Sequence, residues 1–197
     1  SAPVPVAPTP AVIPPVAPPA KTVEHRARVE LVRLAFGELT GGTLATMGVT
    51  IVFGTIIVLA NPSPWAWLWI GAMLGIGIYR LQLSQGFKRR PPTDDETSTW
   101  GFRFVAGSTA SGLGWGLSAW LFSPLDHAGP LAITHMLLLA AIVTGSTRVL
   151  LPMRKGSVVY LAAVLVPVAA RYFAAGDIVG SALGTSLLGF MVYQAFA

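Results

Sequence analysis

The sequence predicts an all-α polytopic membrane protein with six transmembrane helices, preceded by an N-terminal amphipathic helix and a proline-rich arm. Of its 197 residues 53% are apolar and only 11% are charged, against about 25% charged in an ordinary soluble domain. The apolar residues form continuous runs near the ~20 residues that a helix needs to cross a bilayer. Transmembrane strands would alternate instead. The basic residues are confined to alternate connections between the runs.

The six runs are separated by short polar or proline-containing stretches. The stretch from 39 to 79 carries no charge and is too long for one span. Asn61-Pro62-Ser63-Pro64 divides it, because proline lacks an amide donor and restricts the residue before it. The predicted spans are about 39–60, 64–82, 101–123, 129–151, 156–174 and 178–197.

The lysines and arginines predict the orientation of these spans. Twelve of the thirteen lie before the first span, after the second, or between the fourth and fifth. Only Arg171 lies near the opposite side. Since basic loops stay in the cytoplasm, both termini are predicted to be cytoplasmic. Five or seven spans would break this alternation.

Two segments precede the predicted transmembrane domain, which covers residues 39–197. Residues 1–20 hold eight of the sixteen prolines and are predicted to form a polyproline-type or irregular arm without a core. Residues 21–38 are predicted to form an amphipathic helix on the cytoplasmic membrane interface. The alternative is a cytoplasmic extension of the first span. The apolar face of this helix holds Val29, Val32 and Phe36, and its basic residues are Arg26, Arg28 and Arg33.

Several function classes are disfavoured by composition. The net charge of +5 comes from loop residues rather than one basic face, so no nucleic-acid partner is predicted and the bilayer is the expected partner. The chain has no cysteine, and neither a catalytic motif nor a metal-binding motif is present. We therefore predict that this chain is not itself an enzyme.

Few polar residues lie within the predicted spans, where they are costly and so are candidates for function. His135, in the fourth span, is a candidate ligand for a haem or chlorophyll-type metal, or a proton-sensing group. A hydrogen-bonded packing role is the favoured alternative, because no second histidine lies at the same depth on another helix. No cofactor is required by the sequence.

Other candidates lie toward the predicted outer face. Arg171 is predicted to pair with Asp177 as an interface anchor, with ligand sensing as the alternative. Trp115 is predicted either to line a pocket between helices or to pack. Trp65, Trp67 and Trp69 are predicted to form an interfacial tryptophan belt. Small residues spaced four apart are predicted helix-packing faces: Gly71 and Gly75 on one helix, and Ser108, Gly112 and Gly116 on another.

The order of these features resembles the N-terminal six-span sensor region of bacterial histidine kinases and diguanylate cyclases. The resemblance covers most of residues 30–197. Its motifs are Val32-Arg33-Leu34; Gly114-Trp115-Gly116-Leu117 followed by Leu121-Phe122-Ser123-Pro124; and Leu165-Val166-Pro167-Val168-Ala169-Ala170-Arg171-Tyr172-Phe173 followed by Gly176-Asp177.

The resemblance implies an input module in a bacterial inner membrane, whose last helix would lead into a cytoplasmic kinase or cyclase. The sequence ends at Ala197, at the end of the sixth span, and the proline-rich arm departs from the family pattern. The alternative function is an accessory or scaffold subunit of a larger membrane complex, photosynthetic or respiratory, that docks helices or pigments. In either case a homo-oligomer or a larger membrane complex is expected.

Overall fold

The computed structural model describes residues 20–90, 92–93, 96–122, 129–150 and 153–196. The predicted arm lies outside these residues, except for Ala20. All regular secondary structure in the described part is α-helical, which confirms the all-α part of the predicted fold class. The six helices are α1 (Ala20–Ala60), α2 (Pro64–Arg89), α3 (Thr97–Phe122), α4 (Pro130–Leu150), α5 (Arg154–Ala174) and α6 (Ile178–Phe196).

Three long segments are apolar enough to cross a bilayer: Val29–Ala60, Pro64–Arg89 and Lys155–Ala174, each containing an 18-residue stretch whose mean hydropathy is 2.1, 1.2 and 1.7, respectively. Two shorter apolar helices are Pro130–Ser146 and Ile178–Gln194. Their composition suits a multi-pass helical membrane protein in contact with lipid.

The third helix is not among these apolar segments, although the sequence predicted a span there. α3 is rich in glycine, serine and threonine, and ten of its residues are buried. They include Gly107, Ser108, Gly112 and Gly116. A helix surrounded by other helices has little lipid to face, so small and polar side chains replace large apolar ones on its packed surface.

The helices are arranged around α1 and α3. The first helix packs on α2, α3 and α4, whereas α3 packs mainly on α5 and also on α2. The last helix has α5 as its principal neighbour. The core between them is aromatic and aliphatic, with Trp115, Phe36, Phe53 and Phe104 among its largest fully buried side chains.

The first helix runs without a break through residue 38, as the alternative of an extended first span would have it. A single helix of 41 residues runs through both predicted segments. The exposed fractions of Val29, Val32 and Phe36 are 8%, 4% and 1%, and Phe36 stacks on Phe87 of α2 with 4.0 Å between ring centroids. The apolar stripe thus packs on neighbouring helices. An amphipathic pattern specifies an apolar face but not whether lipid or protein covers it.

The helix ends follow local sequence signals. Ser63 caps α2 by accepting a hydrogen bond from the Trp65 amide, and Pro64 begins that helix. Before α3, the Thr93 amide donates to the Glu96 carboxylate over 3.4 Å, which is one arm of a capping box. Gly176 has φ +75°, a conformation that favours glycine.

Candidate functional site: a polar cavity around Arg80

Arg80, on α2, is half-buried between the helices, and its Nε is fully buried. It is on the α2 face that also carries the buried residues Met73, Gly77 and Ser84. Its side chain passes over Gly107 of α3, where an added methyl group would come 3.3 Å from the Arg80 Cγ. The missing side chain at Gly107 therefore leaves the space through which the arginine stem reaches the interior.

The guanidinium of Arg80 lines a cavity of about 140 Å³ between the helices. The other polar residues of its lining are Thr46, Ser108, Ser146 and Tyr160. Each of the first five helices contributes one of these five side chains, so the cavity exists only in the assembled bundle. The remaining lining is mostly small or aliphatic and comes from α1 and α4.

Two polar atoms at this cavity lack partners. The Arg80 Nε and the Ser108 hydroxyl are both buried and make no hydrogen bond. The Tyr160 hydroxyl is within interaction range of the Ser146 hydroxyl and of the Arg80 guanidinium. Among the described residues no carboxylate pairs with Arg80. Since a charge away from water is costly without a partner, the unpaired donors make this cavity the candidate functional site.

The side chains at this cavity suit recognition of an anion. Arginine presents planar, permanently charged donors that match carboxylate and phosphate oxygens, and the hydroxyls add further donors. In the part of the chain that the structure describes, no three histidine, aspartate or glutamate side chains come together as a metal site would require.

His135 lies in a separate aromatic cluster. Its exposed fraction is 2%, its ring stacks on Phe53 with centroids 5.0 Å apart, and its Nε2 lies 2.8 Å from the Ser118 Oγ. Because the Ser118 hydroxyl donates to the Trp115 carbonyl, the serine oxygen is left to accept from the imidazole. A metal at Nε2 would have to displace Ser118, so the geometry suits a packing role better than ligation.

The predicted tryptophan belt is divided by the structure. Trp65 and Trp67 are 62% and 63% exposed, as interfacial residues would be, whereas Trp69 is 5% exposed. The Trp69 indole donates to the Gly114 carbonyl over 2.8 Å and packs edge-on against the fully buried Trp115. Trp69 therefore belongs to the core, where its indole is buried against α3.

The basic interface residues are only partly described. The side chains of Arg26 and Arg28 lie outside the described part of the structure. Arg33 is exposed, with its guanidinium 3.8 Å from the Glu30 carboxylate one helical turn earlier.

Arg171 lies on α5 and faces α3. Its guanidinium is 5.7 Å from the centre of the Trp120 ring, a cation–π distance. The Trp120 indole in turn donates to the Pro167 carbonyl over 2.8 Å. The Asp177 carboxylate accepts from the Gly180 amide and so caps α6. An ion pair between Arg171 and Asp177 stays a prediction.

The predicted small-residue faces have different outcomes. Gly112 and Gly116 lie at the α3–α5 contact, where a methyl group added to Gly116 would come 2.6 Å from the Ala163 carbonyl oxygen. Around Gly71 and Gly75 nothing lies within 4 Å of such a methyl group, so they make no helix contact with the described part of the chain. Gly180 and Gly184, which the sequence pattern did not indicate, also approach α5, with added methyl groups 2.5 Å from the Tyr172 carbonyl oxygen and 2.9 Å from the Phe173 ring.

Comparison with protein-family models, curated proteins and solved structures finds no match to this chain.

Proposed function

We propose that this chain is the membrane-embedded input module of a bacterial signalling protein. It lies in the inner membrane, all six helices cross the bilayer, and both termini face the cytoplasm. A stimulus received by the bundle changes the position of α6, which passes the change to a kinase or cyclase domain. The resemblance of the sequence motifs to such sensor regions supports this proposal, as does the split of basic residues between alternate loops.

The arrangement of α6 is the observation that carries the proposal. The principal neighbour of this helix is α5. On its other side an apolar cleft of about 300 Å³ separates it from α4, lined among others by Met136, Ala140, Val143, Leu187 and Phe190. A helix held on one side and free to approach a second neighbour has two packings available. This is the kind of bistable element that conformational signalling needs.

The experiment joins this chain, through the end of α6, to a cytoplasmic diguanylate cyclase domain in cells that lack other cyclases. Ala140→Phe fills the cleft from the α4 side and should alter cyclic di-GMP production several-fold at equal protein level. Ala170→Phe is the matched control, because Ala170 is exposed on α5 and does not line the cleft. Identical output from the parent fusion and both variants would contradict the proposal.

The second candidate is an accessory subunit of a larger membrane complex. The exposed Gly71 and Gly75 favour it, because a glycine pair four residues apart suits close approach by a helix of another chain. Gly75→Leu should then abolish co-purification of specific neighbouring subunits, while Gly48→Leu, also in open space, should not. A chain that purifies from its native membrane as a monomer, without pigment absorbance, would exclude this function.

A further inference from the structure

We infer that the cavity around Arg80 is a binding site for an oxyanion, a carboxylate or a phosphate, held by the guanidinium and the surrounding hydroxyls. This inference names the class of ligand that the proposed input module would receive. A role of that ligand in signalling rests on the proposed function. Binding itself is a property of this chain alone.

Charge is the first argument. Arg80 is one of thirteen basic residues, and its Nε is buried among the helices. No carboxylate of the described residues compensates it. Charged groups inside membrane bundles are paired or line a site for charged ligands. An anion in the cavity supplies the missing counter-charge.

The free donors are the second argument. The buried Nε of Arg80 and the buried hydroxyl of Ser108 have no hydrogen-bond partner, and both residues line the same cavity. Unsatisfied buried polar atoms are rare in folded proteins, and an absent ion or ligand is one of their usual causes. An oxyanion accepts bonds from the edge of a guanidinium and from a hydroxyl at once.

Access is the third argument. The cavity is open where the exposed residues Ala45, Ala141 and Gly145 of α1 and α4 line it. Small residues on both sides leave a gap at the bundle surface. A dissolved anion and the headgroup of an anionic lipid share the required chemistry, so the experiment separates these two sources.

Binding is measured on this chain, without an output domain, as the shift of its thermal unfolding midpoint. In neutral detergent the additions are sodium phosphate and sodium acetate, with sodium chloride of equal ionic strength as reference. In a second arm the protein is placed in bilayers of phosphatidylcholine alone, or of phosphatidylcholine with phosphatidylglycerol. Ligand that binds only the native state raises the midpoint.

The variants are Arg80→Gln and, as a control of equal charge change, Arg89→Gln at the exposed end of the same helix. Ser108→Ala removes one free donor and keeps the arginine, so it tests the same site if Arg80→Gln does not fold. We expect Arg80→Gln to weaken binding about ten- to a hundredfold, as loss of a charged hydrogen bond does. Ser108→Ala should weaken it less, and Arg89→Gln should leave it unchanged.

A shift with phosphate or acetate that depends on Arg80 and Ser108 establishes a dissolved ligand. A shift only with phosphatidylglycerol, with the same dependence, establishes a lipid headgroup. The inference is overturned if phosphate and acetate shift the midpoint no more than chloride does, and phosphatidylglycerol shifts it no further than phosphatidylcholine alone. It is also overturned if the shifts are equal in the cavity variants and in Arg89→Gln. Cyclic di-GMP production by the cyclase fusion is measured separately. An anion that binds but does not alter this production supports the binding site and counts against the signalling function.

Discussion

Arg80 and His135 are both polar side chains inside the bundle, but their surroundings differ. His135 stacks on Phe53 and its Nε2 is hydrogen-bonded to Ser118, so this polar atom already has a partner within the fold. The Arg80 Nε has no partner and faces a cavity. At the residue scale, the missing partner distinguishes a candidate binding group from a packed one.

Trp69 provides a test of the aromatic core at this scale. Trp69→Phe should lower the free energy of unfolding by about 1 kcal/mol, because the Gly114 carbonyl loses its donor. Trp67→Phe is the control, since Trp67 is exposed on the same helix, and should have little effect. Denaturant unfolding in detergent measures both. Equal losses would contradict the assignment of Trp69 to the core.

Gly116 provides a test of close helix approach. Gly116→Ala should destabilise the fold by about 1–3 kcal/mol, because the methyl group meets two α5 carbonyl oxygens. Gly75→Ala meets open space and should change stability by no more than about 0.5 kcal/mol. The comparison is made by thermal or denaturant unfolding, and a neutral Gly116→Ala would show that α3 and α5 are farther apart.

At the element scale, α3 and α6 differ in the number of helices that they pack against. The third helix packs on α1, α2 and α5 and carries small buried residues along its length, whereas α6 has one principal neighbour. Stability is not uniform in such a bundle, and peripheral elements open at lower free energy than central ones. The element proposed to move is the one with a single principal neighbour.

The attachment of α6 is testable through its glycines. Gly184→Leu should separate α6 from α5, because a methyl group at this position already comes 2.9 Å from the Phe173 ring. Hydrogen exchange should rise in α6 and remain unchanged in α1 to α3. Gly189→Leu, where the added atoms meet nothing, should preserve the parent pattern. Exchange rising equally throughout the bundle would show that α6 is integral to the core.

At the scale of the whole molecule, the topology determines which face of the bundle each site occupies. The absence of native cysteine allows single reporter cysteines to be placed without background. Asn61→Cys and Ala174→Cys should react with a membrane-impermeant maleimide from the periplasmic side. Thr93→Cys should react only after the membrane is opened. Labelling of Thr93→Cys in sealed right-side-out cells would contradict the six-span orientation.

The sequence by itself determined the helices and most of their ends. Continuous apolar runs, the Asn61–Pro64 break and the capping residues are local signals, and local signals are readable along the chain. The positive charges predict an orientation for the same reason. The second helix continues beyond its predicted span to Arg89, and the first runs unbroken through residue 38, because a change in polarity does not interrupt the hydrogen bonds of a helix.

Only the tertiary structure decided which side each helical residue faces. It moved Trp69 from a predicted belt into the core, left Gly71 and Gly75 without neighbours, and brought Arg80 to hydroxyls from four other helices. In a chain apolar on nearly every face, the bilayer and the protein interior require similar side chains, so hydrophobic periodicity does not separate them. Packing separates the two environments, and the Arg80 cavity forms only when five helices have packed together.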